Sequence, residues 1–198
     1  MRARWRHAAV ALTAIGLVGL VQACGDDDKG SSGPGLTGLY EVTTHTATEM
    51  GCDDPQPVAD VANCFDCAVR ADFFKVKSQS FFGQTILVMV DCASETACDD
   101  DGEDPDTINL SGPLFDRASG GGWLGEVKAA SGSGTSCSYT AVEYRLDPDG
   151  EGVTFMSTRE TANPEVANED ACLDLVDNPP PASALTCDRL EVVSGRAL

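Results

Sequence analysis

Eight short runs, rich in β-branched or aromatic residues and bounded by Gly, Pro, Asp or Ser, recur along the chain, and no stretch carries a helical period. They are residues 39–46 (LYEVTTHT), 72–78, 85–92, 107–111, 122–130, 138–146, 152–161 and 185–194. The pattern predicts a single all-β domain, either an eight-stranded antiparallel up-and-down barrel or, as the alternative, a β-sandwich. Alternation places Tyr40 and Val42, Phe74 and Val76, Val142, Tyr144 and Leu146, Val153 and Phe155, and Leu190 and Val192 on the inward face. Asp147-Pro148-Asp149-Gly150 reads as the hairpin turn between the sixth and seventh runs.

The first residues give an address. Arg2, Arg4 and Arg6 make a basic start, and residues 8–21 are uncharged and mostly Ala, Leu, Val and Gly. A bilayer-spanning helix needs about 20 apolar residues, so the stretch is the length of a signal-peptide core. Val21-Gln22-Ala23-Cys24 follows, an aliphatic residue three before a cysteine and a small one directly before it. This resembles the lipobox of bacterial lipoproteins. The resemblance implies that residues 1–23 are removed and that Cys24 is acylated, tethering the chain to a lipid bilayer. With several acyl chains the tether would be stable. Gly25 after the cysteine implies, by the same resemblance, the outer membrane of a Gram-negative envelope, with the facing side left open. Residues 25–37 (GDDDKGSSGPGLT) have the composition of a flexible leash with a reach of about 20 Å. The domain is expected over 38–198.

Lipidation would take one of nine cysteines and leave Cys52, Cys64, Cys67, Cys92, Cys98, Cys137, Cys172 and Cys187. An even set in an exported chain predicts four disulfides, with the connectivity open. Cys92 with Cys98 and Cys172 with Cys187 are the candidate local pairs. If the strands run up and down in order, the odd-numbered connections share one end of the barrel, and all eight cysteines fall there together with the longest loops. Such a barrel resembles the lipocalin and related calycin barrels, and Gly38-Leu39-Tyr40 is similar to their Gly-X-Trp opening, with Tyr in place of Trp. An eight-stranded barrel either fills with side chains or holds one small ligand; in the first case Phe74, Tyr144 and Phe155 pack the core, and in the second they line a cavity of about 300 Å³ or more open at the loop end.

Losing Arg2, Arg4 and Arg6 from 13 basic residues leaves ten against 32 acids, a net charge of −22. That excludes nucleic acid and charge-driven adhesion to anionic lipid. His45 is the one histidine of the mature chain and is placed on the outward face with Glu41 and Thr43. Cys64-Phe65-Asp66-Cys67 has redox-motif spacing, but no helix start in an α/β setting accompanies it, so a structural bridge is expected. Residues 99–106 (DDDGEDPD) are the densest acidic run. Ala97 breaks the EF-hand pattern, so a solvated loop is expected, with Asp99, Asp101, Glu103 and Asp104 the oxygens a calcium ion would use. No nucleophile elbow, HExxH, P-loop or dinucleotide fingerprint is present, and no catalytic residue, resident metal or cofactor is expected.

The expectation is therefore a monomeric, lipid-anchored envelope protein, a non-catalytic binding module for a small or lipophilic ligand at the loop-rich end. The alternative is a structural or protein-interaction lipoprotein with no ligand cavity.

Overall fold

The computed structural model describes residues 35–64, 66–81, 83–100 and 112–198. The signal segment, Cys24, most of the leash, the fourth run at 107–111 and Asp101, Glu103 and Asp104 lie outside them. Among the described residues no helix is long and apolar enough to cross a membrane.

Ten strands form one antiparallel sheet: β1 (Gly38–Ala47), β2 (Gln56–Pro57), β3 (Phe73–Phe81), β4 (Gln84–Cys92), β5 (Leu114–Phe115), β6 (Arg117–Ser119), β7 (Gly122–Ser133), β8 (Ser136–Asp149), β9 (Gly152–Ala162) and β10 (Thr186–Ala197). Their order is β5-β4-β3-β1-β10-β9-β8-β7-β6, with β2 a short flap on β1. The two ends of that path, β5 and β6, are consecutive pieces of chain separated by Asp116. β5 pairs with β4, then Asp116 N–H donates to Leu124 O (2.9 Å) and β6 pairs with β7. The sheet thus curls into a nearly closed barrel, with residues 114–119 serving as the fourth staff of an eight-staff meander. The sandwich alternative falls.

Two short helices, α1 (Glu95–Asp100) and α2 (Glu169–Leu173), sit in the long connections. Asn168 caps α2, its side-chain oxygen accepting from Ala171 N–H (2.9 Å). The β8–β9 turn falls at 150–151 rather than 147–150. Asp149 pairs with Gly152 across it, and Gly150 takes φ +59°, a conformation that glycine adopts without a Cβ penalty.

Inside, Tyr40, Phe74, Val76, Leu87, Met89, Phe115, Trp123, Leu146, Val153, Phe155 and Val193 pack as one core. Tyr40 stacks on Phe74 at 5.2 Å, and Phe155 meets the edge of Phe115 at 6.3 Å. The inward assignments hold on β1, β3, β8 and β9 as far as these residues go. On β10 they fail: Glu191 and Val193 face in and Leu190 and Val192 are only half-buried. That strand has apolar residues on both parities, so alternation alone could not orient it.

His45 is the second correction. It is 8% exposed and faces the interior. The β1–β10 register slips between Val42 and Thr44, leaving Thr43 as the extra residue of a bulge. One residue of slip exchanges the two faces, so Tyr40 and His45 both point inward although they differ in parity.

The disulfides are Cys52–Cys187, Cys64–Cys67, Cys92–Cys98 and Cys137–Cys172. The local pair Cys92–Cys98 is as expected. Cys172 does not join Cys187, because α2 carries it across to β7 and β8, where Cys137 stands. All eight cysteines lie at the end holding connections 48–72, 93–113, 134–135 and 163–185, and the tight turns at 82–83, 120–121 and 150–151 lie at the other. β1 begins at that tight end.

Candidate functional site

The loop-rich end is stoppered by the chain itself. In the connection from β1 to β3, residues 64–70 cross the mouth of the barrel, and Val69 is driven fully into the core. Three anchors hold this plug. Glu191, 1% exposed, accepts from Ala68 N–H through Oε2 (2.7 Å) and from Val69 N–H through Oε1 (3.1 Å). Asp91 accepts from Arg70 N–H (2.7 Å). Cys67 N–H donates to Cys64 O (3.2 Å), closing a turn that the Cys64–Cys67 bridge also spans. A buried carboxylate is expensive unless its lone pairs are used, and here two backbone donors use them.

His45 completes the group. Its Nε2 lies 3.0 Å from Glu191 Oε1, within ion-pair range but outside hydrogen-bond geometry, and Nδ1 has no hydrogen-bond partner. One imidazole nitrogen, a Glu191 oxygen and Cys67 Sγ lie within 4.8 Å of one another. That trio could ligate a metal only with a free thiolate, and Cys67 is bonded to Cys64.

Beside the plug opens a cleft of about 230 Å³ lined by Asp66, Cys67, Arg70, Tyr144, Arg159 and Arg189 among others. Arginines converge there in a strongly acidic chain. Arg159 spans Asp188 (Nε to Oδ2, 2.6 Å) and Asp66 (Nη1 to Oδ1, 3.4 Å). Arg70 Nε donates to Cys67 O (3.1 Å). Arg189 differs: its Nη2 touches Cys64 Sγ and Cys67 Sγ, both at 3.2 Å, and its buried Nε has no acceptor. Burial pushes the Tyr144 hydroxyl above the usual phenol range, and the charge of Glu191 adds to that.

Of the residues expected to line a ligand cavity, Tyr144 does reach this cleft, whereas Phe74 and Phe155 are wholly buried in the core. The cleft is smaller than the expected 300 Å³, and its wall mixes charged residues with Ala68, Val142 and Tyr144. Asp99 lies in α1, its side chain outside the described residues, and Asp101, Glu103 and Asp104 lie outside them altogether.

Glu191, His45, Arg159 and Arg189 are the residues that sequence reasoning missed. A faint signal exists for the pair on β10: Arg189 and Glu191 are two charges at same-face spacing that flank Leu190 and precede Val192 and Val193. Compared with protein-family models, curated proteins and solved structures, the chain matches none.

Proposed function

We propose that this chain is the folded part of an exported envelope lipoprotein of a Gram-negative cell, tethered to the outer membrane through acylated Cys24. It binds through its disulfide-braced end. The observation that carries the reading is the division of the barrel into two unlike ends. The leash joins β1 at the tight end, while four disulfides, the long loops and the arginine-lined cleft occupy the other. A tether at one end turns the cleft away from the bilayer. Four bridges suit an oxidising compartment.

The occupant that suits this cleft is a small polar solute. Pockets for drug-sized ligands run from about 300 to 1,000 Å³, and an acyl chain would desolvate the arginines without pairing them. Among the described residues Phe74, Phe115, Phe155 and Val69 pack together inside the barrel, which argues against lipocalin-style binding there. That filled interior favours a second reading, a protein-interaction lipoprotein using the outer loops.

Intact-mass analysis of the protein extracted from envelopes, with and without reduction, tests the first part. Acylation at Cys24 with a gain of eight hydrogens on reduction is the expected result, and an unprocessed or thiol-rich chain overturns it. Native mass spectrometry separates the two binding readings: a bound small solute, lost in Arg159→Ala, supports the cleft. A protein partner lost when residues 53–62 are shortened supports the second.

A further inference from the structure

We propose that the Cys64–Cys67 bridge is a redox-active disulfide that exchanges with thiols, unlike the three bridges that brace the barrel. The inference goes beyond the binding reading and stands or falls separately from it.

Three features distinguish this bridge. The first is an asymmetry of burial: Cys64 is half-buried and Cys67 is 4% exposed, so Cys64 is the more open of the two to an incoming thiolate. The second is Arg189, whose Nη2 stands 3.2 Å from both sulfurs and whose Nε has no acceptor. A disulfide sulfur is a poor acceptor and carries no charge, so the guanidinium is badly matched in the oxidised state. A thiolate is a strong anionic acceptor at the same place. The cation thus stabilises the reduced pair and the leaving thiolate more than the bridge, which makes the disulfide easier to reduce. The third is the buried His45 imidazole: one of its nitrogens lies within 4.8 Å of Cys67 Sγ and neither has a hydrogen-bond partner, so it can donate to charge arriving on that sulfur, against the opposing Glu191 carboxylate.

The fold also tolerates opening of this bridge. Its ends are 3 residues apart, against 6, 35 and 135 for the others, so it constrains the unfolded chain least. The plug stays seated without it, because Glu191 holds Ala68 and Val69, Asp91 holds Arg70, and Cys67 N–H still donates to Cys64 O.

The exchange balances with a dithiol as the co-reactant. One partner thiolate attacks Cys64 Sγ, the Cys64–Cys67 bond breaks as the mixed disulfide forms, and the electron pair leaves on Cys67 Sγ beside Arg189. The partner's second thiolate then displaces Cys64. The partner is oxidised to a disulfide and both protein sulfurs are reduced; of the two protons the partner sheds, one ends on Cys64 and the other passes to solvent, leaving Cys67 a thiolate against Arg189. The structure suits a small dithiol or an extended peptide dithiol from the same compartment.

The test equilibrates the oxidised full-length protein in graded dithiothreitol buffers, quenches exchange with acid, alkylates the thiols under denaturant, and maps them by peptide mass. Cys64 and Cys67 are expected to be modified at least tenfold more than any other cysteine at low reductant, with circular dichroism unchanged. Arg189→Ala is expected to make the pair about tenfold harder to reduce, about 30 mV for a two-electron couple. Arg159→Ala, which removes a cleft cation held by carboxylates, is expected to leave that equilibrium within twofold. If Arg189→Ala does not fold, the wild-type selectivity decides alone. Reduction of all four bridges together, or an unchanged equilibrium in a folded Arg189→Ala, overturns the proposal.

Discussion

Glu191→Gln isolates what a single buried carboxylate does for the capped end of the barrel. In the wild type its two oxygens accept from Ala68 and Val69 N–H at 2.7 and 3.1 Å, with His45 Nε2 3.0 Å from the second. Glutamine has nearly the same shape but offers one carbonyl oxygen, and its NH₂ then faces a backbone N–H. One charge-assisted bond is lost, at about 1.5–3 kcal/mol, and one donor is left buried without a partner, at about 1–3 kcal/mol. The sum, about 2.5–6 kcal/mol, is a large share of the roughly 5–15 kcal/mol that a domain has in hand. For a chain of this size each kcal/mol lowers Tm by about 2–4 °C. Thermal unfolding followed by near-ultraviolet circular dichroism, with all disulfides intact, should therefore show a fall of roughly 5–24 °C. Amide exchange should show Ala68 and Val69 losing protection before the rest of the barrel opens. A drop under about 2 °C with protection of Ala68 and Val69 unchanged would refute the claim that Glu191 seats the plug.

Three further outcomes follow from the geometry. In the chain-entropy account the double Cys-to-Ser replacement at 52 and 187 should cost about 5 kcal/mol and that at 64 and 67 only about 2 kcal/mol, measured by urea titration; equal costs would contradict it. Gly125→Ala should cost more than about 2 kcal/mol or prevent folding, because its Cβ would lie 1.6 Å from Leu114 O where β5 crosses to β7; a wild-type melting curve would show that the crossing is looser. All three tyrosines, Tyr40, Tyr139 and Tyr144, are raised above the ordinary phenol value by burial. The folded state then holds protons that the unfolded chain releases, so this contribution to stability is complete below about pH 10 and is lost as pH climbs through the folded values. Phenolate absorbance should appear together with unfolding, and three tyrosines titrating near pH 10 in a folded protein would show the reverse.

Most of the barrel was legible because half-buried antiparallel strands write their period into the sequence. The runs at 72–78, 85–92, 138–146 and 152–161 became β3, β4, β8 and β9, with Phe74, Val76, Leu146, Val153 and Phe155 facing in as alternation demands. The common end of the cysteines followed from strand counting alone, since parity assigns each connection to an end. Where local pattern met a non-local decision, legibility stopped. Thr43 carries no mark of a bulge, yet that one inserted residue turns His45 from the solvent to the core. Glu191 reads as a surface charge on a strand because its partners, the N–H groups of Ala68 and Val69, lie more than a hundred residues earlier. Backbone donors have no sequence signature. The β5–β6 crossing was missed for a related reason: two- and three-residue strands are too short to show a period.

Whether an eight-stranded barrel is hollow turns on how many large side chains it points inward, because at this strand number the interior is only just wide enough to be filled. Phe74, Phe115, Phe155 and Met89 are each at most 1% exposed, and with Trp123 and Leu146 they occupy the tube. Val69, supplied by a loop and not by a strand, closes the remaining end. The plug that completes the core therefore also forms the wall of the cleft, since Asp66, Cys67 and Arg70 belong to both. Were both proposals to hold, binding and redox state would be coupled at that wall through shared atoms. Arg189, a lining residue of the cleft, rests on the two sulfurs of the plug, so opening the bridge would give its guanidinium an anion and draw it away from any solute beside it. A ligand that pairs with Arg189 should in turn make the Cys64–Cys67 disulfide harder to reduce, by the same factor that reduction weakens the ligand.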